Sequence, residues 1–118
     1  MTEEEFWSFL QQKGKAEMVS GTITTGDIAI DAVGEFINAH ALLPKGFESV
    51  TEGEIESMGE LLFQKGLKIK TKEAIIILLA HQVSDAALAI LTKFNLKPDK
   101  ELEGFARFAL DESLIWNE

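Results

Sequence analysis

The two histidines of this 118-residue chain have side chains that can bind metals or transfer protons near neutral pH. His40 and His81 each follow an alanine near the C-terminus of a predicted helix. Imidazoles ligate transition metals and act as general bases, so the pair suggests a metal site or a catalytic base completed by distant carboxylates. An imidazole at a helix C-terminus also interacts favourably with the helix dipole or bonds the last carbonyls. We favour this structural role and predict no metal ligand, no cofactor and no catalytic residue.

Local motifs of the common enzyme classes are absent from the sequence. Residues 13–16 (KGKA) lack the upstream glycine and the hydroxyl of a phosphate-binding loop. Ile37 and Leu78 stand three residues before the histidines, which excludes the Glu-x-x-His pairs of di-metal bundles. No serine has the flanking glycines of a nucleophile elbow, and no calcium-loop spacing occurs. The sequence therefore favours a non-enzymatic protein, although a site assembled from distant residues leaves no such motif.

Two predicted helices each carry a row of carboxylates at four-residue spacing: Asp27, Asp31 and Glu35 in the first, and Glu52, Glu56 and Glu60 in the second. Each row lies roughly 130° around the helix from the apolar stripe, so we expect it to face solvent. If the two helices form a hairpin, the rows merge into one acidic surface, with Phe63 beside it as an apolar anchor. This acidic face suggests docking of a basic protein. A solvated face that only promotes solubility is the simpler alternative.

A basic patch follows the second acidic row and comprises Lys65, Lys68, Lys70 and Lys72. Such a patch can bind a phosphate or another anionic group. It can also pair with the acidic face of a second copy and so give a weak homo-oligomer. A lysine run in a connection is most often simply solvated.

The charge of the chain is strongly acidic and unevenly distributed. The net charge is −9, and residues 1–60 carry 12 acidic and 3 basic side chains, whereas residues 61–97 carry 2 and 6. This imbalance disfavours nucleic acid as a partner. The absence of cysteine excludes disulfides and thiolate metal sites and suggests a reducing compartment. No apolar run is long enough for a membrane span, and the acidic segment 2–5 is unlike a signal peptide, so we expect a cytoplasmic protein without a membrane partner.

Apolar periodicity predicts a single all-α domain over residues 1–118, with about six helices. Capping boxes at Thr2–Glu5 and Thr51–Glu54 mark two helix starts. The run Ala74–Ala80 suits either a buried strand or a buried helix, and the caps at Thr71 before it and at Ser84 behind it favour a helix that begins after Thr71. Pro98 is predicted to occupy the first position of the last helix. Residues 16–26 are predicted to be a loop or a short strand.

An internal similarity relates residues 27–42 to residues 52–67. Identical residues occupy four of the aligned pairs: Ile30/Ile55, Gly34/Gly59, Glu35/Glu60 and Leu42/Leu67. Any two amphipathic helices share some of this likeness. A mid-helix glycine costs about 1 kcal/mol relative to alanine, so Gly34 and Gly59 predict the close approach of a neighbouring helix. The glycines therefore favour a structural repeat.

The later part of the chain resembles a known class of helical repeat. Residues 84–91 (SDAALAIL) are followed by residues 98–110 (PDKELEGFARFAL), in which a Pro-Asp turn precedes a helix with small residues at packing positions. This pattern resembles the short HEAT-like repeats of bacterial proteins, including the bilin-lyase type, over about residues 71–112. Glu103 departs from the family, where an arginine is common. The resemblance implies antiparallel helical hairpins stacked as a short right-handed array, which serves as a binding scaffold and carries no catalytic residue.

Three functional hypotheses follow from the sequence. The leading one is a non-enzymatic interaction module that binds a basic protein through the acidic face. The second is an acidic immunity-type or inhibitor protein that neutralises a basic nuclease or toxin with the help of electrostatic steering. The third is an enzyme or cofactor-binding protein with an interhelical pocket near His40 or His81. A concave site containing both histidines would favour the third hypothesis, and a wide separation would deprive it of its residues.

Overall fold

A computed structural model describes residues 1–12, 40, 43, 46–47 and 50–117 of the chain. These residues form five α-helices and a 3-10 turn: α1 (Glu3–Gln12), α2 (Glu52–Leu62), α3 (Ile69–Ala80), α4 (Asp85–Leu96), the turn Lys100–Leu102 and α5 (Glu103–Trp116). No strand occurs in these ranges, so the predicted all-helical class is confirmed for the described part of the chain. Residues 16–26 and most of the helix predicted over residues 27–42 lie outside the described residues.

The first two described helices begin at the predicted capping boxes. The backbone N–H of Glu5 donates to Thr2 Oγ1 at 3.1 Å, and the N–H of Thr2 donates to Glu5 Oε1 at 2.8 Å. Thr51 and Glu54 make the same reciprocal pair at 3.2 and 2.9 Å. Each box satisfies amides that have no partner inside the helix, which is why these local signals fix the helix starts.

Helix α3 lies at the centre of the core. Its seven residues Ala74–Ala80 are at most 1% exposed, and α2, α4 and α5 all pack against it. Burial on every side removes the apolar–polar periodicity of an ordinary surface helix, so periodicity alone did not separate this run from a strand. The predicted buried helix is confirmed, but it begins at Ile69 and not after Thr71, whose hydroxyl bonds to Glu3 and Trp7 instead of capping the helix. None of the described helices, α3 included, has the length and apolar character needed to cross a membrane.

Helix α4 approaches α2 closely at Gly59. A Cβ atom at this position would lie 2.5 Å from Ile90 Cδ1, well inside van der Waals contact. The mid-helix glycine is therefore explained by a neighbouring helix, as predicted. Gly34, its proposed equivalent, lies outside the described residues. Gly66 has a φ of +84°, which gives the left-handed turn between α2 and α3.

The last helix begins at Glu103 and not at Pro98, so this prediction is wrong. Asp99 has extended backbone angles, and the turn Lys100–Leu102 precedes α5. Lys72 Nζ, at the start of α3, donates to Asp99 Oδ2 at 2.6 Å. This contact holds the residue after Pro98 against α3 and outside the helix.

The start of α1 is joined to the start of α3 by three side chains, which we call the Thr71 junction: Glu3, Trp7 and Thr71. The Thr71 hydroxyl donates to Glu3 Oε2 and accepts from Trp7 Nε1, the latter at 3.1 Å. The same Glu3 oxygen accepts the backbone N–H of Lys68 at 3.3 Å. The junction thus supplies a partner for the backbone N–H of Lys68, the N-cap residue of α3.

Candidate functional site

The second half of the predicted acidic face lies on the surface of α2. Glu52, Glu56 and Glu60 are exposed, as expected, and Phe63, which follows the helix, is 42% exposed. The first half, comprising Asp27, Asp31 and Glu35, lies outside the described residues. The merging of the two rows into one surface therefore stays a prediction.

Glu52 has a structural contact that distinguishes it from the other two glutamates of the row. Ser84 Oγ lies 2.7 and 3.0 Å from the two Glu52 carboxylate oxygens. The same hydroxyl accepts the backbone N–H of Ala87 at 3.2 Å and so caps α4. Glu52 thereby joins the start of α2 to the start of α4, whereas Glu56 and Glu60 lie further along α2.

An open groove of about 570 Å³ runs between α2 and α4. Its lining combines small and apolar residues, two glutamates, an aromatic ring and a lysine: Gly59, Ala86, Ala89, Ile90, Glu56, Glu60, Phe63 and Lys93. Lys93 Nζ lies 4.9 Å from the centroid of the Phe63 ring, which also contacts Phe94. The groove therefore offers an apolar lining with carboxylates on α2 and a cation at the end marked by Phe63.

The predicted basic patch is divided by the fold. Lys65, Lys68 and Lys70 are exposed in and after the connection between α2 and α3. Lys72 is only 12% exposed along its side chain, because it forms the ion pair with Asp99. Three of the four lysines thus remain on the surface, and the fourth fixes the turn before α5.

The structure brings His40 and His81 together. Their ring centroids are 5.0 Å apart, and the rings meet edge to face. His81 is the C-cap residue of α3, its side chain is 6% exposed, and its Nδ1 lies 2.9 Å from the carbonyl oxygen of Ile77. The predicted bond to a last-turn carbonyl is therefore confirmed for His81. It accounts for only one of the two ring nitrogens.

Glu112 on α5 faces both imidazoles, and we call these three side chains the His–Glu cluster. Glu112 Oε2 lies 2.6 Å from His81 Nε2, and Oε1 lies 3.3 Å from His40 Nε2. A carbonyl oxygen only accepts hydrogen bonds, so in this arrangement His81 Nδ1 carries a proton and Nε2 is directed at the carboxylate. His40, His81 and Glu112 come from three separate parts of the chain, and their potential metal-binding atoms thus lie close together.

Aromatic rings and amide side chains surround the His–Glu cluster. The rings of Phe47 and Trp116 each lie 5.8 Å from the His81 ring. Gln82 Nε2 donates to the backbone carbonyl of Phe47 at 2.8 Å, and Asn117 Nδ2 donates to the carbonyl of Gln82 at 3.1 Å. These bonds hold the backbone of Phe47 and the C-terminal ends of α3 and α5 against one another beside His81.

Glu112 is the member of the cluster that the sequence did not identify. Its only signal is its spacing, because positions 105, 109, 112 and 116 follow the 4-3-4 pattern of one helical face. Phe105 and Ala109 on that face are fully buried. A carboxylate in register with a buried stripe needs a polar partner, and the partners here are two histidines from distant parts of the chain.

Neither a scan against protein-family models nor searches of the curated proteins and of the solved structures finds a match to this chain. Function is therefore inferred from the residues and their geometry.

Proposed function

We propose that this protein is a non-enzymatic helical interaction module that binds a basic segment of a partner protein in the groove between α2 and α4. The observation that carries the proposal is an open apolar groove beside two exposed carboxylates, Glu56 and Glu60. An amphipathic helix lays its apolar face into a groove of this kind. Lysine or arginine side chains along that helix would face the two glutamates.

The charged and the apolar residues of the groove are expected to contribute differently to binding. Exposed charge pairs contribute mainly to the rate and selectivity of association, whereas buried apolar contacts contribute most of the affinity. Ile90 and Phe63 are the large apolar residues that line the groove. Phe63 is held in place by Phe94 and Lys93, so little side-chain freedom is lost when a partner covers it.

The proposal includes a HEAT-like arrangement, in which the hairpins α2–α3 and α4–α5 stack in the same orientation. The first helices of the two hairpins run parallel. Glu52 at the start of α2 contacts Ser84 before α4, and Phe63 after α2 contacts Phe94 near the end of α4.

The second helices of the hairpins follow the same direction. Lys72 at the start of α3 pairs with Asp99 before α5, and His81 after α3 contacts Glu112 near the end of α5. Stacked hairpins with parallel equivalent helices are the arrangement by which helical repeats form a continuous binding surface. In this protein that surface would be the one shared by α2 and α4.

Affinity capture with matched charge variants tests the proposal. The full chain is compared with the double variant Glu56→Lys/Glu60→Lys and with Glu101→Lys/Glu103→Lys, which makes the same charge change at exposed positions near the start of α5. We expect the chain and the control variant to recover the same basic protein, and the groove variant to lose it. Recovery should weaken from low to high salt.

Equal recovery by the groove variant, or recovery that is indifferent to salt, would contradict the proposal. The identity of the partner separates the module from the inhibitor hypothesis, which also relies on the acidic charge of the chain. If the recovered protein is a basic nuclease or toxin whose activity falls when this chain is added, the inhibitor role is the correct one.

A further inference from the structure

We infer that the His–Glu cluster is a binding site for a divalent transition metal ion of the group Zn²⁺, Ni²⁺ and Cu²⁺. The ligands are His40 Nε2, His81 Nε2 and the carboxylate of Glu112. The site lies at the C-terminal ends of α3 and α5 and shares no residue with the groove between α2 and α4. The inference of a metal site therefore does not depend on the proposed docking function.

The distances between the ligand atoms suit one ion. The ligand atoms of the three residues all lie within 4.8 Å of one another. Ligand bonds of about 2.0–2.2 Å in a tetrahedral zinc site place neighbouring ligand atoms about 3.4 Å apart. The His40–Glu112 distance is already 3.3 Å. The 2.6 Å contact of His81 Nε2 is with the other carboxylate oxygen, Oε2, and must lengthen by roughly 0.8 Å, so the glutamate side chain has to rotate when an ion binds.

His81 has the orientation of a metal ligand. Histidines that bind metals usually donate their other ring N–H to a carbonyl or carboxylate, which fixes the tautomer and directs the free lone pair at the ion. His81 Nδ1 makes this bond with the carbonyl of Ile77 at 2.9 Å. The backbone of α3 thus sets the direction of Nε2 before any ion binds.

The donor set selects the class of ion. Two imidazoles and one carboxylate suit Zn²⁺ and its neighbours Ni²⁺ and Cu²⁺, whereas Ca²⁺ and Mg²⁺ require mostly oxygen ligands. Three protein ligands leave a fourth position for water. The side chains of His40 and Glu112 are 36% and 25% exposed, so an ion reaches the cluster from solvent.

A hydrogen-bonded ion pair without metal is the competing explanation of the same contacts. In that case His81 is doubly protonated and donates through both nitrogens, to Ile77 and to Glu112. The cluster then only joins α3 to α5 and has no affinity for Zn²⁺. Direct metal titration decides between the two explanations.

The experiment is a Zn²⁺ titration of the metal-free full chain by calorimetry, repeated with Co²⁺ to record the absorption spectrum of the bound ion. The ligand variants are His81→Gln and Glu112→Gln. The matched control is Asp111→Asn, which removes a carboxylate one residue away that pairs only loosely with Arg107, at 3.6 Å. We expect one ion per chain for the wild type and the control. Each ligand variant should bind at least about 100-fold more weakly, since loss of a second-shell partner alone costs 10–100-fold.

A third variant keeps the test valid if a helix variant fails to fold. His40→Ala removes a ligand outside the five helices and leaves the contacts of α3 with α5 in place. In the background Trp7→Phe, Trp116 is the only source of tryptophan fluorescence. Its ring lies 5.8 Å from the His81 ring, so bound Cu²⁺ should quench this fluorescence. Unchanged Zn²⁺ affinity in the ligand variants would assign binding to other carboxylates and overturn the inference, as would the absence of Zn²⁺ binding by the wild-type chain.

Discussion

At each end of α3, a carboxylate from another helix meets a buried polar side chain of this central helix. At the N-terminal end, Glu3 from α1 accepts from Thr71, which in turn accepts from Trp7. At the C-terminal end, Glu112 from α5 meets His81, with His40 beside it. A carboxylate is present at both ends, and the side chains that it meets differ.

The two ends differ in whether their polar side chains can also bind a transition metal ion. In the Thr71 junction a hydroxyl and an indole N–H are already matched to an oxygen, and neither is a ligand for transition metals. In the His–Glu cluster the contact atoms are imidazole nitrogens, which are such ligands. Glu3 therefore only links α1 to α3, whereas Glu112 is part of a candidate metal site.

The largest effect on stability is expected from Ile77→Ala, between the two ends. Ile77 is fully buried, so loss of its side chain should reduce the free energy of unfolding by about 2–5 kcal/mol. Its backbone carbonyl, which orients His81, remains. Urea unfolding and Zn²⁺ titration of the same variant should show a large loss of stability with little change in metal affinity. A loss of affinity as large as that of His81→Gln would mean that packing, rather than the carbonyl, places the ring.

A stabilising effect of comparable size is expected from zinc itself, and only through the C-terminal end. At a free Zn²⁺ concentration about 100 times the dissociation constant, binding stabilises the folded chain by about 2.7 kcal/mol, which raises the Tm by roughly 10 °C. Thermal unfolding should show this rise in the wild type and in Thr71→Val. Glu112→Gln, which should bind at least about 100-fold more weakly, should gain at most about 0.4 kcal/mol, a rise in Tm below about 2 °C. A rise as large as that of the wild type would place the ion elsewhere.

A smaller effect is expected from Thr71→Val at the N-terminal end. Valine keeps the shape of threonine but leaves the Glu3 carboxylate and the Trp7 indole without their shared partner. The free energy of unfolding should fall by about 1–3 kcal/mol, as for other buried polar groups that lose a partner. Thr71→Ser restores the hydroxyl and is the matched control in chemical denaturation. If the valine variant unfolds at the same midpoint as the wild type, the hydrogen bonds of the junction contribute nothing to stability.

The smallest effect is expected from the exposed pair Arg107–Asp111 on α5. Its side chains are 73% and 56% exposed, and pairs of this kind contribute about 0.3–0.5 kcal/mol. Arg107→Gln should therefore leave the unfolding midpoint nearly unchanged at moderate salt. A loss above about 1 kcal/mol would show that α5 depends on surface charge more than on its contacts with α3 and α4.

Local signals in the sequence were sufficient wherever the structure depends on nearby residues. The capping boxes at Thr2 and Thr51 involve partners three residues away, and both helix starts were predicted correctly. Gly59 was also informative, because a glycine inside a helix is costly unless a neighbour requires the space. These features depend on residues within one turn of a helix, so the residue types and their spacing are enough to predict them.

The features that the sequence did not predict depend on contacts between distant residues. Pro98 suits the first position of a helix, but the pairing of Asp99 with Lys72 moves the start of α5 to Glu103. The two histidines were recognised as candidates, yet their proximity and the part played by Glu112 follow only from the packing of α5 on α3. No spacing rule within one helix connects three separate parts of a chain.

The burial of α3 on every side has a consequence for the synthesis of the protein. Helices α1 to α4 leave the ribosome before α5, which packs against both α3 and α4. Until α5 arrives, the apolar run Ala74–Ala80 is open on the side that α5 later covers. Exposed apolar surface of this kind promotes aggregation of incomplete chains. Nascent chains that end before Glu103 should therefore depend on chaperones for their solubility.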